Sequence, residues 1–140
     1  MFMKVEIVKL DDFGRGICFV NNKVTFVPNT IPGDIVNIKI VKENKKYNEA
    51  ILIDLVKSSS KRIDAPCPYF GICGGCSLQT LPYDLGISYK KDKVINYFKK
   101  MGLIINPSLI TNDTPYNYRN KITLKVVNGV VGYYKLNSHS

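Results

Sequence analysis

Ile17-Cys-Phe-Val-Asn-Asn-Lys-Val-Thr-Phe-Val27 reads as two short strands joined by a two-residue turn. Asparagine tolerates the positive φ that a type I′ hairpin turn demands, and the β-branched and aromatic residues on either side favour extended backbone. Upstream, Lys4–Leu10 is a further β-rich run. It stops at the turn formers Asp11-Asp12, and Phe13-Gly-Arg-Gly16 carries the chain back. Downstream, Pro28, Pro32 and Gly33 punctuate a loop. Asp34–Val41 then alternates, with Val36, Ile38 and Ile40 on one face and Asn37 and Lys39 on the other. A last strand is predicted over roughly Tyr47–Val56. Five short strands in about fifty residues predict a small closed barrel of the OB or SH3-like kind, which leaves no strand edge exposed.

Three further cysteines crowd into Cys67-Pro-Tyr-Phe-Gly-Ile-Cys73-Gly-Gly-Cys76. Gly74 and Gly75 let the backbone fold tightly between the last two thiols, and Pro68 stiffens the turn after the first. Soft thiolates at that density suit an iron–sulfur cluster or zinc. A disulfide framework fits less well, since an odd local number cannot pair off internally and no signal-peptide pattern precedes the motif. Cys18, between Ile17 and Phe19, is expected to pack as a small hydrophobe, with a ligand role as the alternative. The single histidine, His139, sits beside the end of the sequence.

Ser58-Ser-Ser60 and Lys61-Arg62 form a polar run that reads as a linker. Leu85–Met101 is predicted helical, with Ile87, Val94, Phe98 and Met101 on one stripe and Gly102 as the stop signal. Arg119–Val127, Asn128-Gly129 and Val130–Leu136 read as a second hairpin. One helix and one hairpin offer little surface for a core, so strands completing this half are expected beyond Ser140. The fold class expected is mainly β with one helix, an α+β chain.

Composition narrows the partner. Lys and Arg number 20 against 11 Asp and Glu, a net charge of +9. Residues 1–60 hold nine basic and seven acidic side chains; residues 61–140 hold eleven and four. Such a surface attracts phosphate through counterion release. No apolar run approaches the ~20 residues needed to cross a bilayer. Phe13 and Arg15 place a ring and a guanidinium on a flexible turn, and Tyr118, Arg119 and Lys121 repeat that pairing; both sets can stack on unpaired bases and bind phosphate. A plain turn and an ordinary solvated strand face are the competing explanations.

Three segments resemble one family. Ala65-Pro-Cys-Pro-Tyr-Phe-Gly-Ile-Cys-Gly-Gly-Cys-Ser-Leu-Gln79 is similar to the cluster segment of the RNA uracil-C5 methyltransferases, the RumA/TrmA family. Lys23-Val-Thr-Phe-Val-Pro-Asn-Thr-Ile-Pro-Gly-Asp34 is similar to its N-terminal TRAM domain. Tyr118-Arg-Asn-Lys121, Gly132-Tyr-Tyr134 and Ser138-His139 resemble the start of its central domain. The resemblance implies a TRAM barrel over 1–57, a linker and cysteine loop over 58–80, and the opening of an α+β central domain over 81–140. It also implies a [4Fe-4S] cluster on Cys67, Cys73 and Cys76. The family's fourth cluster cysteine, S-adenosylmethionine site, nucleophilic cysteine and general base would lie beyond Ser140.

In that family a cysteine thiolate adds to C6 of uracil, C5 takes the methyl group of S-adenosylmethionine, and a base removes the C5 proton. The 140 residues alone are therefore expected to be inactive. RNA is the expected partner, 23S ribosomal RNA ahead of tRNA, with no DNA and no membrane, in the cytoplasm. One departure is Leu85-Gly86, which replaces a glutamine common in the family. The rival reading is a stand-alone TRAM module with a cysteine-bound metal and no catalysis.

Overall fold

The computed structural model describes residues 2–136 and Ser138. These residues form β1 (Met3–Glu6), β2 (Lys9–Leu10), β3 (Gly16–Val20), β4 (Lys23–Val27), β5 (Ile35–Glu43), β6 (Tyr47–Lys57), α1 (Tyr83–Lys100), β7 (Lys125–Val127) and β8 (Val130–Gly132). They divide into two compact units. One runs to Pro82 and takes in the segment from Tyr134; the other is Tyr83–Tyr133.

In the first unit the strands lie in the order β1-β5-β6-β4-β3-β2. The predicted hairpin forms between β3 and β4, with Val20 opposite Lys23 and both turn residues at positive φ (Asn21 51°, Asn22 60°). β1 and β2 are two limbs of one predicted strand. At its bend the Ile7 amide donates to Asp34 O (2.9 Å), on the β5 side, and the next amide, of Val8, donates to Ile17 O (2.9 Å), on β3. One bent strand thus pairs with both ends of the sheet and closes it. Counted so, five strands run first–fourth–fifth–third–second, with the third and fifth parallel (β4 and β6). That is the OB arrangement, of the two kinds left open by the sequence. Register shifts in the long β5–β6 pair supply the coiling that a small barrel needs.

Alternation then fills the core with Ile7, Cys18, Val20, Val27, Val36, Ile38 and Ala50, flanked by Met3, Val5, Ile40, Leu52 and Leu55. Gly16 sits where a Cβ would come within 2.0 Å of the buried Thr30 Oγ1 and 2.8 Å of Ile7 Cγ2. Its lack of a side chain is a packing requirement. Gly14, at φ +81°, serves the turn instead.

The polar run after β6 is held in place. Asp34, wholly buried, accepts hydrogen bonds from the amides of Ile31 (2.8 Å) and Ser59 (2.9 Å) and pairs with Arg62. A second Arg62 nitrogen donates to Asn29 O (3.2 Å). Residues read as linker are in this way fastened to the barrel.

In the second unit α1 ends in a Schellman motif: Gly102 at φ +79° donates to Lys99 O (3.0 Å) and Leu103 to Phe98 O (3.0 Å). The expected strand Arg119–Val127 forms only at its last three residues, Lys125–Val127, around the turn Asn128-Gly129. Residues 119–124 pair with no strand among the described residues, so the two-sided face expected for Arg119, Lys121 and Thr123 does not arise there. Side-chain alternation cannot hold extended backbone without a neighbouring ladder. No described residue of Tyr83–Tyr133 is buried, and the apolar stripe of α1 stays half exposed.

Candidate nucleic-acid interface and cysteine loop

The Asp11–Arg15 turn is built by one carboxylate. Asp11 Oδ1 accepts from the amides of Phe13 (2.9 Å) and Arg15 (2.8 Å), while Oδ2 pairs with Arg15 Nε (2.7 Å) and Nη2 (2.7 Å). The Arg15 guanidinium also lies 4.3 Å from the Phe26 ring centre and 5.6 Å from that of Phe13. Both predicted residues therefore meet in one arrangement, but with different parts. Arg15 is neutralised and held; Phe13, 75% exposed, presents most of its ring to solvent.

The outer face of the neighbouring strands continues this surface. Because Cys18, Val20, Thr25 and Val27 turn inward, Phe19, Val24 and Phe26 turn outward. Phe19 lies opposite Val24 and Val24 opposite Tyr47, giving one row across three strands. The adjacent row is Ile17, Phe26 and Glu49. Phe26 and Tyr47 meet edge-to-face at 5.5 Å. Sequence reading did not single out Phe19, Phe26 or Tyr47, since both faces of these strands are apolar and the alternation alone does not say which is inside.

Cys67, Cys73 and Cys76 are free thiols, the first two half-buried and the third exposed. Their loop is folded by its own backbone: Phe70 N donates to Cys67 O (3.1 Å), Cys73 N to Tyr69 O (2.9 Å) and Gly75 N to Cys73 Sγ (3.3 Å). Gly74 N donates to Tyr134 O (3.0 Å) and Leu136 N to Ile72 O (2.8 Å), so a distant segment clamps its middle. The loop also rests on the barrel: a Cβ on Gly71 would come 3.1 Å from Asn29, and one on Gly14 would come 3.0 Å from Leu78. Among the described residues no three Cys, His, Asp or Glu side chains converge closely enough to hold a metal ion. The donor chemistry nonetheless fits a thiolate-bound metal or cluster, with three free thiols on one glycine-rich loop and an N–H already directed at one sulfur.

Cys18 lies apart, 1% exposed in the barrel core, its thiol directed at Thr25 O (3.7 Å). Burial pushes it up to about 11 from the ordinary 9.0. Below about pH 9 the thiol is neutral folded and unfolded, and stability is unaffected. Between about 9 and 11 only the unfolded thiol ionises, so stability falls as pH rises, by up to about 2–3 kcal/mol. In thermal melts from about pH 8 to about pH 11, Cys18→Ala should lose less stability at the alkaline end than the parent. Parallel curves would refute this.

Tyr118, Arg119 and Lys121 lie in the second unit, all exposed, on irregular backbone. His139 lies outside the described residues. Among the described residues no helix is long and apolar enough to cross a membrane.

A barrel of this topology with a cysteine loop folded against it defines the class. Residues 2–53 match the TRAM domain family. Over 128 residues the chain is 41% identical to the 23S rRNA (uracil(1939)-C(5))-methyltransferase RlmD of Francisella tularensis subsp. novicida, covering 88% of this chain and 28% of that protein. It is 35% identical over 136 residues to an RNA methyltransferase of Aquifex aeolicus, covering 95% of this chain and 32% of the relative. The crystal structure of Pyrococcus abyssi tRNA (uracil-54, C5)-methyltransferase in complex with S-adenosyl-L-homocysteine superposes with a TM-score of 0.61 at 27% identity, over 94% of this chain and 29% of that one. Over most of its length the chain is similar to the N-terminal part of these RNA methyltransferases, and residues 2–53 match the TRAM domain. It spans between 28% and 32% of these relatives.

Proposed function

We propose that these residues are the RNA-binding and iron–sulfur portion of an S-adenosylmethionine-dependent RNA (uracil-5-)-methyltransferase acting on 23S rRNA in the cytoplasm. The observation that carries this reading is the packing of the TRAM barrel and the cysteine loop into one compact unit. Cys67, Cys73 and Cys76 would hold a [4Fe-4S] cluster, which would serve architecture by cross-linking the loop. The barrel would grip RNA, with Phe13 offering a ring and Arg15 keeping the turn in shape. Tyr118, Arg119 and Lys121 would add contacts from the second unit, where eight basic side chains stand against three acidic ones. On this reading methyl transfer would belong to the larger part of the relatives' length that this chain does not span.

The test is a salt titration. A 23S rRNA fragment should bind with log affinity falling steeply against log salt, and more tightly than tRNA. Changing Arg119 and Lys121 together to Ala should flatten that slope by about 1–2 units. An unchanged slope would remove those two side chains from the interface. Absence of binding at low salt would sink the reading, and equal binding of rRNA and tRNA would remove the preference.

A further inference from the structure

We propose that Gln79 is the positioning residue for the first thiol of the cysteine loop. Its side-chain carbonyl fixes the Cys67 backbone, so that the other two thiols close onto a ligand already in place. This rests on the ligand set proposed above and names a residue that serves it without touching the metal.

The base of the loop is closed by its own backbone. Ile63 N donates to Thr80 O (3.1 Å), joining the segment that enters the loop to the one that leaves it. Both segments are anchored to the barrel. The entering one follows Arg62, which pairs with Asp34. The leaving one has Leu78 against Gly14, where a Cβ would come within 3.0 Å of it, and Thr80 buried at 5% exposure. Leu81 N donates to Leu78 O (3.0 Å), so Gln79 sits inside a closed turn between those two anchored residues.

Cys67 needs a partner that its neighbours do not supply. Pro66 and Pro68 flank it and carry no N–H, so the Cys67 amide is the one backbone donor of that tripeptide. It donates to Gln79 Oε1 (3.2 Å), 12 residues along the chain. Only the oxygen of a carboxamide accepts, which sets the way the Gln79 amide faces. The Cys67 carbonyl accepts in turn from Phe70 N (3.1 Å), so both backbone groups of this residue are engaged. The other two thiols are placed differently. Cys73 is bonded within the loop to Tyr69 O, and Cys76 is exposed beyond Gly74 and Gly75. Among the described residues the three thiols do not converge, so loading has to bring Cys73 and Cys76 to Cys67. A ligand fixed beforehand has little freedom left to lose when metal arrives, and partners that orient ligands in this way are worth about 10–100-fold in affinity.

The test uses the whole chain, first metal-free and then loaded. In the metal-free protein, amide exchange followed by NMR should quicken at Cys67 by about tenfold in Gln79→Leu. Ile63 and Ser59, whose amides bond Thr80 O and Asp34, should keep the parent rate. Gln79→Glu, which retains an oxygen at the same reach, should keep Cys67 protected; Gln79→Asn, one methylene shorter, should not. After anaerobic reconstitution with ferrous iron and sulfide, Gln79→Leu should show the parent's absorption near ~400 nm. It should nonetheless yield its iron to about tenfold less of a ferrous chelator than the parent needs. A ligand variant lacks the absorption altogether, so the two kinds of change separate. Equal retention of iron by Gln79→Leu and the parent overturns the proposal. So does exchange that rises together at Cys67, Ile63 and Ser59, the mark of a residue that merely holds the base of the loop shut; in both cases the ligand set stands. A parent chain that takes up no iron overturns the ligand set, and the role of Gln79 with it.

Discussion

Replacing Asp34 by alanine is expected to cost about 3–5 kcal/mol, a large share of the stability of any small domain. The carboxylate is fully buried and serves three donors, the Ile31 and Ser59 amides and the Arg62 guanidinium. Alanine leaves all three without their acceptor, and Arg62 becomes a charge with no counterion in a mostly buried place. Unmade buried hydrogen bonds cost more than made ones contribute, so the loss exceeds what one surface ion pair would give. Arg62→Ala should cost less, because Asp34 would keep its two amide donors. Urea unfolding followed by circular dichroism checks this: the midpoint should drop sharply with an unchanged slope. Hydrogen exchange in the segment from Ser59 to Cys67 should rise in the variant, since the fastening to the barrel is gone. A loss under about 1 kcal/mol would mean that water satisfies these donors and the clasp is dispensable.

On the proposed ligand set, changing Cys67, Cys73 or Cys76 to serine is expected to abolish iron binding altogether. Anaerobically reconstituted parent protein should show broad absorption near ~400 nm from thiolate–iron charge transfer. Each serine variant should lack it, because a serine hydroxyl does not supply the soft anionic donor that iron–sulfur chemistry needs. Since the thiols do not converge among the described residues, loading should also reorganise the loop, a coupling of metal binding to folding visible in circular dichroism. The change should centre on Gly74 and Gly75, whose amides are bonded to Tyr134 O and Cys73 Sγ and would have to find new partners. Cys18→Ala should retain the absorption, its side chain being sealed in the barrel core. Iron kept by the serine variants, or lost with Cys18→Ala, would overturn the assignment. A colourless protein that binds zinc through the same cysteines would replace the cluster with a single metal ion.

The barrel strands and the end of the helix were legible because their signals are short-range. The Asn21-Asn22 turn, the alternation of Asp34–Val41 and the stop at Gly102 each depend on residues a few positions apart, and each falls where expected. The same reasoning failed at Arg119–Leu124. There alternation was present but no adjacent strand exists among the described residues to pair with it. At the candidate interface, Phe13 and Arg15 could be found as an aromatic–basic pair, but not their division of labour. That depends on Asp11 taking both the turn amides and the guanidinium.

By itself, then, the sequence determined where the barrel's strands and turns fall, where the helix stops, and which three thiols share a loop. These follow from backbone preference and spacing, which neighbouring residues impose on one another. Only the tertiary structure decided that one strand bends at Ile7-Val8 to close the barrel, and that Asp34 reaches Ser59 and Arg62. It also decided that Phe19, Phe26 and Tyr47 share an outer face with Phe13 at its edge. Those are pairings between distant positions, and their geometry exists only once the chain has paid the entropy of bringing them together.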